Sequence, residues 1–132
     1  MCIDSSVAFK WFCADDESAV DEALRLLRQH RDGEIELVAP AHMPAEVLNG
    51  LHSRKLTPPE MAVAARALGG IGITYADWTT ELLSESASLA ARHRLTINDA
   101  LFPALASLLD CELVTADRAH ARATECPVRL IR

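Results

Sequence analysis

The sequence predicts an α/β fold: a central, mostly parallel sheet of about four to five strands flanked by helices in three layers. Three observations lead there. Short apolar runs alternate with longer amphipathic ones along the whole chain, the order expected when each strand is followed by a crossover helix. The chain has 132 residues, half of them hydrophobic, which is enough to bury a core without disulfide or metal staples. No linker, repeat or low-complexity segment divides it, so a single domain over residues 1–132 is expected.

Met1–Asp4 reads as a short first strand, and Ser6–Cys13 as one or two helical turns. Ser18–Arg31 is a helix with Val20, Ala23, Leu24 and Leu27 on its apolar face; Arg25, Arg28 and Asp32 face water, and Gly33 stops it. Ile35–Ala39 is the second strand. Pro40 and Pro44 bracket the entry to a helix over Ala45–Arg54, with Val47, Leu48 and Leu51 turned inward. Thr57-Pro58-Pro59-Glu60 opens the next helix, with Thr57 as N-cap and Glu60 closing a capping box, and Gly69-Gly70 ends it. Ile71–Tyr75 is the third strand. Asp77 or Thr79 caps a helix running to about Arg94, and Thr96 begins another that ends near Asp110. Cys111–Thr115 is the fourth strand, Ala116–Ala123 a short helix, and Val128–Ile131 a final edge strand.

The bulk numbers exclude some classes and leave others open. No apolar run approaches a membrane span and no signal-peptide pattern opens the chain, so a cytoplasmic protein is expected. Cys2, Cys13, Cys111 and Cys126 lack CxxC or zinc-ligand spacing, which favours buried, reduced thiols. The net charge of −6 argues against a nucleic-acid partner at first sight. Two features weaken that objection. Eleven of the 13 basic residues are arginine, suited to bidentate phosphate contact. If four carboxylates belong to a site rather than to the surface, the balance becomes −2.

Four acids draw attention by position. Asp4 ends the first strand, Asp117 follows the fourth, and Glu46 and Asp99 lie in the first turns of helices. In an open parallel sheet, ligand sites form beyond the carboxyl ends of the strands near a topological switch point, and adjacency of the first and fourth strands would bring Asp4 and Asp117 together there. Each acid also has a plain structural use. Asp4 and Asp117 suit helix N-caps, Glu46 favours a helix dipole, and Thr96 to Asp99 has capping-box spacing.

Ile3-Asp4-Ser5-Ser6-Val7-Ala8 with Lys10-Trp11-Phe12, Pro44-Ala45-Glu46-Val47-Leu48-Asn49, Asn98-Asp99-Ala100-Leu101-Phe102-Pro103-Ala104-Leu105-Ala106 and Leu113-Val114-Thr115-Ala116-Asp117 follow one another in order. In that ordered combination the chain resembles the PIN-domain ribonucleases, most closely the VapC-like toxins of VapBC toxin–antitoxin pairs. The resemblance implies a metal-dependent endoribonuclease with Asp4, Glu46, Asp99 and Asp117 as the catalytic, metal-binding set. An all-carboxylate set without His or Cys suits Mg²⁺, with Mn²⁺ as a substitute. Ser6 and Thr115 would be supporting hydroxyls behind the acids. The partners implied are an RNA substrate, a VapB-like antitoxin whose segment fills a groove, and a second copy of the chain.

Lys10, Arg92, Arg94, Arg118 and Arg122 are candidates for phosphate contact, although isolated arginines are more often solvated surface. His120, beside the fourth acid, could approach the site, but a surface position is the stronger expectation. Trp11 is expected to pack rather than stack on a base. The alternative is a catalytically inactive PIN-like domain that binds RNA or protein. Asn98, where the resembled family commonly carries an aromatic, and Pro103, inside a helix, favour it. A phosphotransfer domain with Asp4 as nucleophile is weak, because neither Lys10 nor Lys55 stands at a strand end.

Overall fold

Cys2–Ile3 (β1) forms the centre of a five-stranded sheet in the order β3-β2-β1-β4-β5, with every neighbouring pair parallel. The other strands are Val38–Pro40 (β2), Thr74–Ala76 (β3), Leu113–Thr115 (β4) and Val128–Leu130 (β5). The computed structural model describes residues 1–13, 19–123 and 125–132. The expected start of the second helix at Ser18 lies outside them.

The helices between the strands are Ser5–Phe9 (α1), Val20–Arg31 (α2), Met43–Ser53 (α3), Pro58–Gly70 (α4), Thr80–His93 (α5) and Ile97–Leu108 (α6). The chain steps outward from β1 through β2 to β3, then returns across the sheet to β4 and β5. Right-handed crossovers therefore put α1 to α4 on one face and α5 and α6 on the other. Packing agrees: α6 crosses β1, β2 and β4 with α5 on its back, while α1 packs on α3 and α3 on α4. The reversal of direction makes the β1–β4 seam the switch point, where a crevice opens beyond the strand ends.

Local chemistry explains most boundaries. Thr57 and Glu60 form the complete capping box of α4, and the paired backbone N–H of Thr57 holds the Glu60 carboxyl below its usual range. Gly33, at φ 76°, takes the left-handed position that ends α2. Several expected boundaries shift. Ile35 does not begin β2, because the chain first folds back on α2: His30 Nδ1 takes the N–H of Leu37 at 3.2 Å. Ile71 caps α4 and Gly72 turns the chain at φ 83°, so β3 starts only at Thr74. The expected helix over Ala116–Ala123 shrinks to a single 3-10 turn, His120–Arg122.

The core fills both sides of the sheet, with Ile3, Leu26, Leu37, Met43, Leu51, Leu68, Leu89, Phe102 and Leu113 fully buried. Leu26, rather than Leu24 or Leu27, is the deepest leucine of α2. All four cysteines are free thiols, Cys2 and Cys13 buried and the other two half-buried. Burial pushes the Cys2 thiol well above its ordinary range and Cys126 up to about 11, so both stay protonated and behave as small hydrophobes. Trp11 packs as expected, its indole N–H on the Ala23 carbonyl at 2.9 Å. Among the described residues, no helix is long and apolar enough to cross a membrane.

Candidate functional site

The β1–β4 seam brings the first and last of the four acids to the same end of the sheet. Ile3 pairs with Val114, so Asp4 and Thr115 emerge side by side and Asp117 follows two residues later. Asp4 is completely buried and acts as the N-cap of α1. Its Oδ1 accepts from the Ser6 hydroxyl at 2.5 Å, the Ser6 N–H at 3.1 Å and the Val7 N–H at 3.3 Å. Its Oδ2 accepts from the Thr115 hydroxyl and from His120 Nδ1 at 2.5 Å. Ser6 and Thr115 therefore both hold this carboxylate, and they receive the N–H groups of Ala116 and Asp117, each at 2.9 Å.

The other three acids are spread around this hub. Glu46, in the first turn of α3, accepts from the Ser5 hydroxyl at 2.7 Å and lies 3.4 Å from His42 Nε2. Asp117 is exposed and its Oδ1 caps the N–H of Ala119 at 2.8 Å. Glu46 and Asp117 line one open cavity of about 630 Å³ together with Ser6, Lys10, Arg54 and Arg118. Asp99 stands on the other side of His120, its Oδ1 3.4 Å from Nε2 of that ring. Its N–H is capped by Thr96 at 3.1 Å, the first half of a capping box. Pro103, buried within α6, has no N–H to give the Asp99 carbonyl one turn earlier, yet the helix runs on to Leu108. The neighbouring carbonyl of Asn98 meets His42 Nε2 at 3.0 Å instead.

His120 is the residue that sequence reasoning misplaced. It is buried, not on the surface, and stacks on Phe102 with ring centroids 6.0 Å apart. Burial drives its pKa down, but the Asp4 hydrogen bond and the charges of Asp4, Asp117 and Asp99 outweigh that and raise it to about 9. At neutral pH the ring is an imidazolium and supplies positive charge to the carboxylates. A signal for it existed: His42 lies four residues before Glu46 and His120 three after Asp117, each at helical spacing from an acid.

This geometry corrects the expected metal-dependent nuclease. Among the described residues, no group of three or more His, Cys, Asp or Glu side chains is placed to hold a metal ion. The physical reason is visible acid by acid. Asp4 spends its lone pairs on five protein donors, Asp117 is held by the Ala119 N–H and Glu46 by the Ser5 hydroxyl, and an imidazole separates Asp4 from Asp99. Mg²⁺ takes oxygen ligands at roughly 2.0–2.1 Å in near-octahedral geometry and needs carboxylate oxygens free to converge on it. The residues present do not fit Mg²⁺ or Mn²⁺, and with that the metal-binding, ribonuclease and RNA-cleavage readings fall. Three of the four acids do what their plain structural uses required: two caps and one first-turn acid.

The expected phosphate contacts fare unevenly. Lys10 is buried, Arg92 pairs with Glu125 at 2.7 Å, and Arg122 donates to the His93 carbonyl at 3.4 Å. Arg94 closes α5 in the left-handed conformation, and Arg118 lines the cavity beside Asp117.

The fold matches solved structures over nearly its full length. One is PAE2754 from Pyrobaculum aerophilum, 22% identical, TM-score 0.64, covering 96% of this chain and 88% of that one. Another is VapBC2 from Rickettsia felis bound to a DNA fragment from their promoter, 14% identical, TM-score 0.68, covering 99% and 98%. At these identities the likeness is one of fold. No curated protein matches the sequence. The PIN domain family profile matches residues 1–125, and the chain belongs to the PIN domain family.

Proposed function

We propose that this chain is a catalytically inactive, single-domain cytoplasmic PIN protein that works by binding a partner protein, a VapB-like antitoxin. The observation that carries the reading is an apolar groove along α4. A cavity of about 430 Å³ is walled by Trp11, Phe12, Leu27, Ala67 and Ile71. A second, of about 260 Å³, is walled by Phe12, Leu56, Val63 and Ala64. Phe12 lines both, and Ala64, Ala67 and Gly70 are small residues of α4 beside them, so we read the two as one trough. Arg31 lines the first cavity and Glu60 the second. A trough of this kind suits the apolar face of an amphipathic helix. The likeness to the VapBC2 complex supports an antitoxin as the source of that helix. The free thiols fit a reducing compartment.

Co-expression with the antitoxin encoded by an adjacent reading frame, followed by size-exclusion chromatography, tests this. A stable complex is expected, and Ala67→Glu at the floor of the trough should abolish it while leaving the circular dichroism spectrum unchanged. Persistence of the complex in Ala67→Glu would count against the groove.

A homodimer is the second association we propose. Trp78 is 69% exposed and Ile97 45%, and Trp78 shares a small apolar cavity with Leu82 and Leu101, one turn from Ile97. Exposed tryptophan of this kind is typical of an interface anchor. Light scattering should give a dimer mass for the wild type and a monomer mass for Trp78→Glu.

A further inference from the structure

His120 stands between two carboxylates and touches one with each ring nitrogen: Nδ1 to Asp4 Oδ2 at 2.5 Å, Nε2 to Asp99 Oδ1 at 3.4 Å. Phe102 stacks along the ring, and His42 lies on Phe102 with centroids 5.0 Å apart, so the imidazole has little room to swing. The turn carrying it is tied down as well. Ala121 donates to the Asp117 carbonyl at 3.3 Å, and Arg122 reaches back to the His93 carbonyl on α5. Nε2 is buried without a hydrogen bond, the cost of holding the ring in this place.

We infer that the His120 ring is a lock on the acid pocket: filling the space between Asp4 and Asp99 and occupying Asp4 Oδ2, it keeps divalent cations out. Of the five groups that donate to Asp4, the Ser6 and Val7 N–H groups and the Ser6 and Thr115 hydroxyls belong to α1 and β4 themselves. They orient the carboxylate and remain if the imidazole is removed. Only the His120 donor comes from outside α1 and β4, from the 3-10 turn after β4, and its ring lies between Asp4 and Asp99. Removing it frees one lone pair on Asp4 and leaves space for an ion that retains several waters, as magnesium and manganese do. A histidine with only a packing role would loosen the fold on removal and leave ion affinity unchanged. The inference concerns the acid pocket alone, so its failure would leave the α4 groove untouched.

The test is Mn²⁺ titration of the full chain, followed by the electron paramagnetic resonance signal of the free ion. Wild type should show no saturable site. His120→Ala should gain one, at least about tenfold tighter than any wild-type binding, about 1.4 kcal/mol. Adding Asp99→Asn to His120→Ala should abolish the gain. His120→Asn, which retains an amide donor toward Asp4 but vacates the space before Asp99, serves if the alanine variant does not fold, with a smaller gain expected because Asp4 Oδ2 stays occupied. A saturable wild-type site lost in Asp99→Asn would overturn the lock, and so would variants that fold but bind no Mn²⁺. In the wild type alone, the nuclear magnetic resonance signal of the His120 Nδ1 proton should persist through a Mg²⁺ titration. Its loss at saturating Mg²⁺ would mean that the ion displaces the ring, and the lock would not exist.

Discussion

His120 Nδ1 meets Asp4 Oδ2 at 2.5 Å across 116 residues of sequence, joining the end of β1 to the turn after β4 where the acids gather. The contact makes stability depend on pH with a definite sign. The folded pKa of His120, about 9, lies above its ordinary 6.5, so folding favours the protonated ring. The stabilisation is fully present below pH about 6.5 and is lost as pH rises through about 9, amounting to roughly 3 kcal/mol over that window. Urea unfolding across this range should show the decline, and His120→Asn should flatten it. A wild-type stability that rises through the same window would contradict the assignment.

Asp4 and Asp117 separate sharply in cost. Asp4→Asn leaves the imidazolium buried beside a neutral amide and puts an N–H₂ group among donors, and breaking a buried pair in this way costs roughly 3–5 kcal/mol. Asp117→Asn keeps an oxygen for the Ala119 N–H on an exposed side chain, and should cost less than about 0.5 kcal/mol. Thermal melts of the two variants compare them directly. Equal losses would mean that Asp4 is not the structural hub of the pocket.

Chelation provides a third check. A ligand that binds only the folded state raises its stability, by about 2.7 kcal/mol at a hundredfold excess over Kd. With no fitting site among the described residues, neither EDTA nor millimolar Mn²⁺ should move the wild-type melting temperature. Partner-free protein incubated with single-stranded RNA and Mn²⁺ should leave the RNA intact, and so should Asp4→Asn. Cleavage that EDTA stops and Asp4→Asn removes would restore the nuclease reading.

The sequence carried the fold further than the site. Alternation of apolar runs and capped helices marks α4 almost to the residue, because Thr57, Pro58 and Glu60 act through neighbours in the chain. The adjacency of β1 and β4, which brings Asp4 beside Thr115, is a long-range pairing that periodicity cannot express. The four acids were visible as letters, but whether they converge on an ion depends on where their lone pairs go. Asp4 Oδ2 goes to a histidine 116 positions away, and no local spacing records that. His120 itself looked like surface because its short segment carries Asp117, Arg118 and Arg122 and no large apolar side chain; it is buried against Phe102, which belongs to α6.

Gly50 sets the distance between α1 and α3, and through it the Ser5–Glu46 contact. A Cβ at position 50 would lie 2.9 Å from the edge of the Phe9 ring, closer than real Cβ atoms come. The ring cannot retreat freely, since Arg54 covers it with its guanidinium carbon 5.5 Å from the centroid. Gly50→Ala therefore sets two effects against each other. Helix propensity favours alanine by up to about 1 kcal/mol, while overpacking costs typically about 1–3 kcal/mol. The clash should win, giving a net loss of roughly 1 kcal/mol in urea unfolding, and Phe9→Leu in the same chain should return part of it by removing the ring edge. Displacement of α3 would also lengthen the 2.7 Å bond from Ser5 to Glu46, so Ser5→Ala should cost less in the Gly50→Ala background than in the wild type. Additive effects of the two substitutions would show that the helix spacing and the acid pocket are uncoupled.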